Sequence, residues 1–173
     1  MFYEWAKDGY GFPLIGNGKN RYQFLDVSDL CEVCWLCGSL PARKTNDVFN
    51  IAAEKFATMR EDYQSVLDFA GHQKKIKTIP TFVAVPALRL FELLKISPLY
   101  RWIYGTASKD SFVSIDKAKK VLGYKPKFSN QDALIRNYKW FLKNYESFKG
   151  KKGISHRVPW SQGILKTFRV FFK

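Results

Sequence analysis

Pro13-Leu14-Ile15-Gly16-Asn17-Gly18-Lys19-Asn20-Arg21 opens on a short apolar run, turns through two glycines and closes on two cations. A dinucleotide cradle needs such a glycine turn to lead from a strand into a helix N-terminus, where backbone N–H groups meet phosphate. Here Arg21 stands where the third glycine of that pattern would fall, and Tyr22 to Val27 alternates like a short strand instead of opening a helix. The spacing of a phosphate-binding loop fails as well, because Gly11 to Gly16 is followed by Asn-Gly and not by Lys-Ser or Lys-Thr. Two readings remain: a plain surface turn, or a turn in which Gly16, Asn17 and Gly18 bring the backbone close to a ligand while Lys19 and Arg21 grip its phosphate.

Outward from this turn, helical and extended patterns alternate. Phe2 to Lys7 reads as a helix broken by Gly9-Tyr10-Gly11-Phe12-Pro13. Ser28 or Asp29 is positioned to cap a helix carrying Leu30, Val33, Leu36 and Leu40. Asp47 to Ala52 reads as a buried strand. Thr58-Met59-Arg60-Glu61 is a capping box opening a helix that buries Tyr63, Val66, Leu67 and Ala70 and stops at Gly71. Lys75 to Ile79 is a short strand. Phe82 to Leu94 is a very apolar helix, in which Pro86 is tolerable if it lies in the first turn. Phe112 to Ile115 is extended, Asp116 caps a short helix ending at Gly123, and Asn130 starts the last long helix. The alternation predicts an α/β class with about four short strands, none of them the long apolar run of a central parallel strand. Half a fold is expected to be missing.

The chain is 173 residues long, 46% hydrophobic and 25% charged, a globular composition sufficient for one sizeable core. No uncharged apolar run is long enough for a transmembrane helix. The first residues carry an acid and no apolar core, so a secretory signal is not expected. Three closely spaced cysteines make no disulfide framework, which predicts a reducing, cytoplasmic setting. Lys plus Arg is 29 against 15 acids, a net charge of +14. Half of that excess falls on residues 149–173, which hold seven basic residues and no acid. The field favours anionic partners: a phosphorylated small molecule, an acidic lipid surface or nucleic acid.

Other motifs are weaker. Cys31, Cys34 and Cys37 have the spacing of three ligands of a cluster-binding run, but Pro41 stands where the fourth belongs, so burial as small apolar groups is the expectation and no metal site is assigned. Tyr-x-x-x-Lys occurs at Tyr3/Lys7 and Tyr145/Lys149, about as often as chance predicts. His72 and His156 support no nucleophilic triad. Residues 148–173 read as a basic aromatic tail, in which Ile164, Leu165, Phe168, Phe171 and Phe172 mark an amphipathic helix. Such a helix suits an anionic membrane surface or docking on a missing domain. Nucleic acid is the weaker reading, since no recognised nucleic-acid motif is present.

Four stretches in order resemble the C-terminal half of the extended short-chain dehydrogenase/reductase family, the NAD-dependent epimerase/dehydratases. The glycine turn with Arg21, followed by Val27-Ser28-Asp29-Leu30, is similar to the family's glycine turn, arginine and "V-x-D-L". Val48-Phe49-Asn50-Ile51, with Thr58 and Glu61 opening a helix, is the second. Ser114-Ile115-Asp116-Lys117-Ala118, continuing to Leu122-Gly123-Tyr124-Lys125-Pro126, resembles the family's "D-x-S-K-A-x-x-x-L-G-W-x-P". The helix from Asn130 to Tyr145 is the fourth. The resemblance implies a partial fold lacking the N-terminal Rossmann half, with residues 1–147 as a substrate-binding region. It implies a sugar-nucleotide-like or other anionic substrate, held by Gly16, Asn17, Gly18, Lys19 and Arg21. A second family arginine falls near Tyr104, three residues after Arg101. The family's cofactor fingerprint and catalytic Tyr-x-x-x-Lys lie N-terminal to the region matched. The expectation is therefore that NAD(P) belongs to the full-length family and is not bound by this chain alone, and that redox chemistry needs a Rossmann-domain chain. The alternative is a basic module peripheral to an anionic membrane.

Overall fold

A computed structural model describes residues 1–95, 101–148 and 165–173. Helix α1 (Phe2–Lys7) leads into strand β1 (Phe12–Ile15). Then follow α2 (Val27–Ser39), α3 (Ala42–Thr45), α4 (Met59–Ala70) and strand β2 (Ile76–Ile79). Beyond them come α5 (Thr81–Leu93), α6 (Arg101–Thr106), α7 (Asp116–Leu122) and α8 (Asn130–Phe148). The short α9 (Leu165–Phe168) runs into a 3-10 turn at Arg169–Phe172. β1 and β2 pair in parallel, Phe12 opposite Ile76 and Ile15 opposite Ile79. A parallel pair needs a crossover, and the segment carrying α2, α3 and α4 supplies it.

Two apolar clusters hold the chain together. Ala6, Leu14, Val66, Leu67, Ile76 and Tyr138 bring α1, both strands, α4 and α8 to one centre. Val33, Ala52, Ile115, Ala118, Leu122 and Tyr124 join α2 to α7 through the connecting segment near Ala52. Each buried Val, Leu or Ile contributes about 1.5–3 kcal/mol relative to exposure, so these clusters dominate the stabilising side.

Buried polar braces set how the elements meet. The Asn130 side chain donates to the Tyr22 carbonyl and to Asp62 Oδ2, both at 2.6 Å, and accepts the Phe24 N–H at 2.9 Å. Asp29 is fully buried and accepts the Lys127 N–H at 3.1 Å and the Phe128 N–H at 3.3 Å. Arg136 reaches from α8 to Asp26 at 2.9 Å, with its guanidinium over the Phe128 ring.

Several expectations hold and several need correction. The capping box at Thr58 and Glu61 forms, and α4 ends on Gly71 in the left-handed region. Asp26, not Ser28 or Asp29, caps α2, because its carboxylate accepts the Ser28 N–H at 2.8 Å. Residues 22–27 form no strand; Tyr22 makes a single parallel bridge to Ser111, and the Phe24 main chain is taken by Asn130 and Ala53. Asp47 to Ala52 forms neither a strand nor a buried segment throughout, since Val48 is 82% exposed while Ala52 is buried. Phe112 to Ile115 forms no strand either, so of the four expected segments only 75–79 pairs, and its partner β1 falls in the stretch read as a break after α1; the described residues hold two strands instead of about four. Pro86 lies six residues into α5, beyond the first turn, where its ring removes one helical donor. Ile115 takes the cap position expected of Asp116. Cys37 packs on the second cluster, but Cys31 and Cys34 are exposed, because the apolar stripe of α2 runs through Val33 and Cys37.

Candidate functional site

The turn from Gly16 to Arg21 sits where β1 leaves the sheet and meets α4. Gly16 has φ +88°, and its N–H donates to the Ile79 carbonyl at 2.8 Å. A Cβ at Gly16 would lie 2.8 Å from Ser108 Cβ, so both its backbone angle and its neighbour select glycine. Asn17 is exposed, and its side-chain oxygen accepts the Lys19 N–H at 2.9 Å, closing the turn. Gly18, with φ +71°, is buried against Arg60 on the first turn of α4.

This turn holds α4 by its end. The Gly18 carbonyl accepts the Arg60 N–H at 3.0 Å, and the Asn20 carbonyl accepts the Met59 N–H at 2.8 Å. Thr58 Oγ1 accepts the Glu61 N–H. The first donors of α4 are therefore spent inside the protein, and its N-terminus offers no free amide pair to a pyrophosphate. The turn does not fit a dinucleotide phosphate. Any anion it meets must be held by side chains.

Those side chains are cationic. Asn20, 8% exposed, donates to the Ala107 and Lys109 carbonyls at 3.2 Å, fastening the turn to the segment after α6. The Arg21 N–H donates to Asp110 at 2.7 Å and its carbonyl accepts the Ser111 N–H at 2.8 Å, while its guanidinium lies 4.6 Å from the centre of the Phe112 ring. Arg60 reaches Thr78 Oγ1 at 3.2 Å. Lys19, Arg21, Arg60 and Lys109 are all exposed, and among the described residues none of them forms a salt bridge. Four cations thus surround one turn, and Asp110 there is bonded to main chain. Stacking on Phe112 holds Arg21 extended without consuming its five donors.

All five residues assigned from the sequence, Gly16, Asn17, Gly18, Lys19 and Arg21, fall in this turn. Arg60 and Lys109 were missed. Arg60 sits inside a capping signal that explains itself without a ligand, and Lys109 lies 90 residues from Lys19, a proximity only the Asn20 bonds reveal.

The other motifs resolve structurally. Tyr3 donates to the Leu134 carbonyl and packs on Tyr138, and burial pushes its phenol far above the ordinary range, which ill suits it to proton transfer. Lys7 pairs with Asp8 and lies over the Tyr145 ring; Lys149 and His156 lie outside the described residues. His72 Nε2 lies 3.2 Å from the Lys7 carbonyl. Tyr104, near the position of the family's second arginine, is buried and donates to Glu92, so it ties α6 to α5 instead of facing a ligand. Among the described residues no group of His, Cys, Asp or Glu is placed to hold a metal.

The same arrangement of elements occurs in known proteins. An epimerase from Methanothermobacter thermautotrophicus superposes with a TM-score of 0.62 at 19% identity, over 84% of this chain and 37% of its own. The UDP-glucose 4-epimerase of Thermotoga maritima, solved with UDP-glucose, gives 0.59 at 21% identity, over 83% and 38%. The Bordetella bronchiseptica enzyme WbmF, solved with NAD+ and UDP, gives 0.57 at 21% identity, over 84% and 36%. In sequence, the uncharacterized protein y4nG of Sinorhizobium fredii is 34% identical over 95% of this chain and 41% of its own length. A second protein of that organism, y4nL, is 29% identical over 86% and 44%. The chain spans about two fifths of the length of these relatives. No family model matches it. The chain carries part of the epimerase/dehydratase fold, mostly helical around a two-stranded parallel sheet.

Proposed function

We propose that this chain is the substrate-binding portion of an NAD(P)-dependent epimerase/dehydratase acting on a sugar nucleotide or similar anionic substrate. Lys19 and Arg21 hold the substrate's phosphate groups, with Arg60 and Lys109 extending the positive surface. Gly16, Asn17 and Gly18 shape the turn that presents them. The observation that carries this reading is the set of four exposed cations that form no salt bridge among the described residues, around a turn whose backbone is fastened at Gly16, Gly18 and Asn20. A phosphate supplies the charge this turn lacks, and a fixed guanidinium binds it bidentately.

In this reading NAD(P) supplies hydride chemistry on a separate Rossmann portion, and residues 1–147 supply recognition. Two features support such a second portion. Phe49, Asn50 and Ile51 make no backbone hydrogen bonds among the described residues, leaving an open edge beside exposed Val48. On α2, the large apolar side chains of Val27, Leu30 and Trp35 are exposed. Strand addition at 48–51 with cover over α2 would satisfy both.

Titration calorimetry with UDP tests the assignment. UDP binding is expected to weaken about tenfold in Arg21→Ala, the loss of one charge-assisted contact, and less in Lys19→Ala. Unchanged UDP affinity in both variants would remove the turn from the binding site. NADH titrated into the same chain is expected to give no saturable micromolar binding.

A further inference from the structure

We propose that this protein docks on an anionic membrane surface through the outer face of α5 together with the aromatic turn at 168–171. After Thr81, the exposed residues of α5 and its C-cap are Phe82, Val83, Pro86, Arg89, Leu90, Leu93 and Leu94. They recur at helical spacing and form one stripe, while Ala84 and Leu88 are buried on the opposite side. Phe82 is 80% exposed and Leu93 78%. A stripe this long and this apolar is unusual on a free surface and marks an interaction site.

The C-terminal turn widens it. Phe168 lies 6.0 Å, ring to ring, from Phe91 of α5. The turn is fixed from below: the Phe172 carbonyl accepts the Gly11 N–H at 2.7 Å, the Phe171 carbonyl accepts a bond from Lys77 Nζ at 3.2 Å, and the Phe172 ring packs on Trp5. Arg169 is drawn to Asp8 at 3.2 Å. Anchored in this way, the turn leaves Val170 and Phe171 pointing to solvent, Phe171 73% exposed.

Charge selects the occupant. Within 81–95 and 165–173 the only acidic side chain is Glu92, and it accepts the Tyr104 hydroxyl. Arg89, Lys95 and Lys173 are exposed and unopposed by carboxylate on these segments. An apolar stripe rimmed by cations alone matches an interface of acyl chains beneath anionic headgroups. No helix among the described residues is long and apolar enough to cross a membrane, so the contact is with the surface. α5 starts beside the turn, Thr81 Oγ1 lying 3.4 Å from where a Cβ on Gly16 would stand, but no residue of the stripe is among those assigned to the substrate, so the proposal stands independently of the proposed function.

The test is co-sedimentation of the full chain with vesicles of phosphatidylglycerol mixed with phosphatidylcholine, compared with phosphatidylcholine alone. Binding is expected to the anionic vesicles only, and to fall as salt rises. The double variant Phe82→Ser/Leu93→Ser is expected to lose about tenfold or more in partitioning, from the apolar area removed. Trp35→Ser, an equally exposed aromatic on α2, is expected to bind like the parent, and circular dichroism verifies that each variant is folded. Phe171→Ser, outside any helix core, repeats the test without touching α5. Three results would overturn the proposal: no sedimentation with anionic vesicles at low salt, equal binding by the α5 double variant and the parent, or concentration-dependent dimerisation through α5 that vesicles do not reverse.

Discussion

Two turns of this molecule share a left-handed glycine, Gly18 and Gly123, each at φ +71°, and each is followed by lysine within four residues. After Gly123, the amides of Lys127 and Phe128 converge on the buried carboxylate of Asp29, and Lys127 Nζ pairs with Glu32. After Gly18, the backbone is held by Asn20, by α4 and by the Asp110 carboxylate on the Arg21 N–H, while among the described residues the side-chain cations of Lys19 and Arg21 form no salt bridge. In one turn a carboxylate pairs with a side-chain cation; in the other the carboxylate of Asp110 meets only main chain and the cations stay unpaired among the described residues. The first is therefore a clasp of the fold and the second is open to a ligand.

Breaking the clasp should have the largest effect. Asp29→Ala removes the buried acceptor of the Lys127 and Phe128 N–H groups and is expected to cost about 3 kcal/mol in urea unfolding, the upper range for hydrogen bonds to a charged group. A cost below about 1 kcal/mol would show that water replaces the carboxylate and that the two turns are alike. Asn130→Ala removes the brace shared by the Tyr22–Phe24 segment and Asp62 and is expected to cost about 2 kcal/mol by the same measurement.

The pH dependence sharpens the contrast. Burial pushes the Asp62 carboxyl above its ordinary 3.8, against the opposing bond from Asn130. Between 3.8 and the raised value the folded chain holds more protons than the unfolded one, so this site's contribution to stability falls as pH rises through that window. Asp62→Asn removes the burden, and its stability relative to the parent is expected to climb from acid to neutral pH. A flat difference in urea midpoints across that range would refute it. Glu61 behaves oppositely: the Thr58 hydroxyl and N–H hold it below its ordinary 4.5, so its contribution is present above 4.5 and is lost as pH falls. Thr58→Ala is expected to cost about 1 kcal/mol through loss of this cap.

The smallest effect on stability belongs to the open turn. Arg21→Ala is expected to change urea stability by no more than about 0.5 kcal/mol, as for an exposed side chain, while weakening UDP binding. A large stability loss would make Arg21 a second clasp through Phe112 and erase the distinction.

Which parts were readable in sequence follows from how local each signal is. The capping box at Thr58–Glu61, the stop at Gly71 and the stop at Gly123 involve groups within five residues of each other, and all three formed. Residues 22–27 and 47–52 carry strand-like alternation, yet alternation states only which side chains are apolar and not what the backbone pairs with. Asn130 and Ser111 took the main chain of one, and that of the other meets local groups and the Tyr124 hydroxyl on Ala52 but no strand among the described residues. The α2 cysteines followed the same logic: helical spacing grouped them, but packing chose Cys37 alone.

The order of residues was enough to locate the glycine turn, its two cations and the fold to which they belong, because φ-positive glycines and charged neighbours act over a few bonds. Tertiary structure decided that this turn's backbone is already spent on α4, that Arg60 and Lys109 join it, and that Asp29 closes the matching turn near α7. Those outcomes depend on groups up to about a hundred positions apart, whose meeting is set by burial of the two apolar clusters and leaves no mark in local spacing.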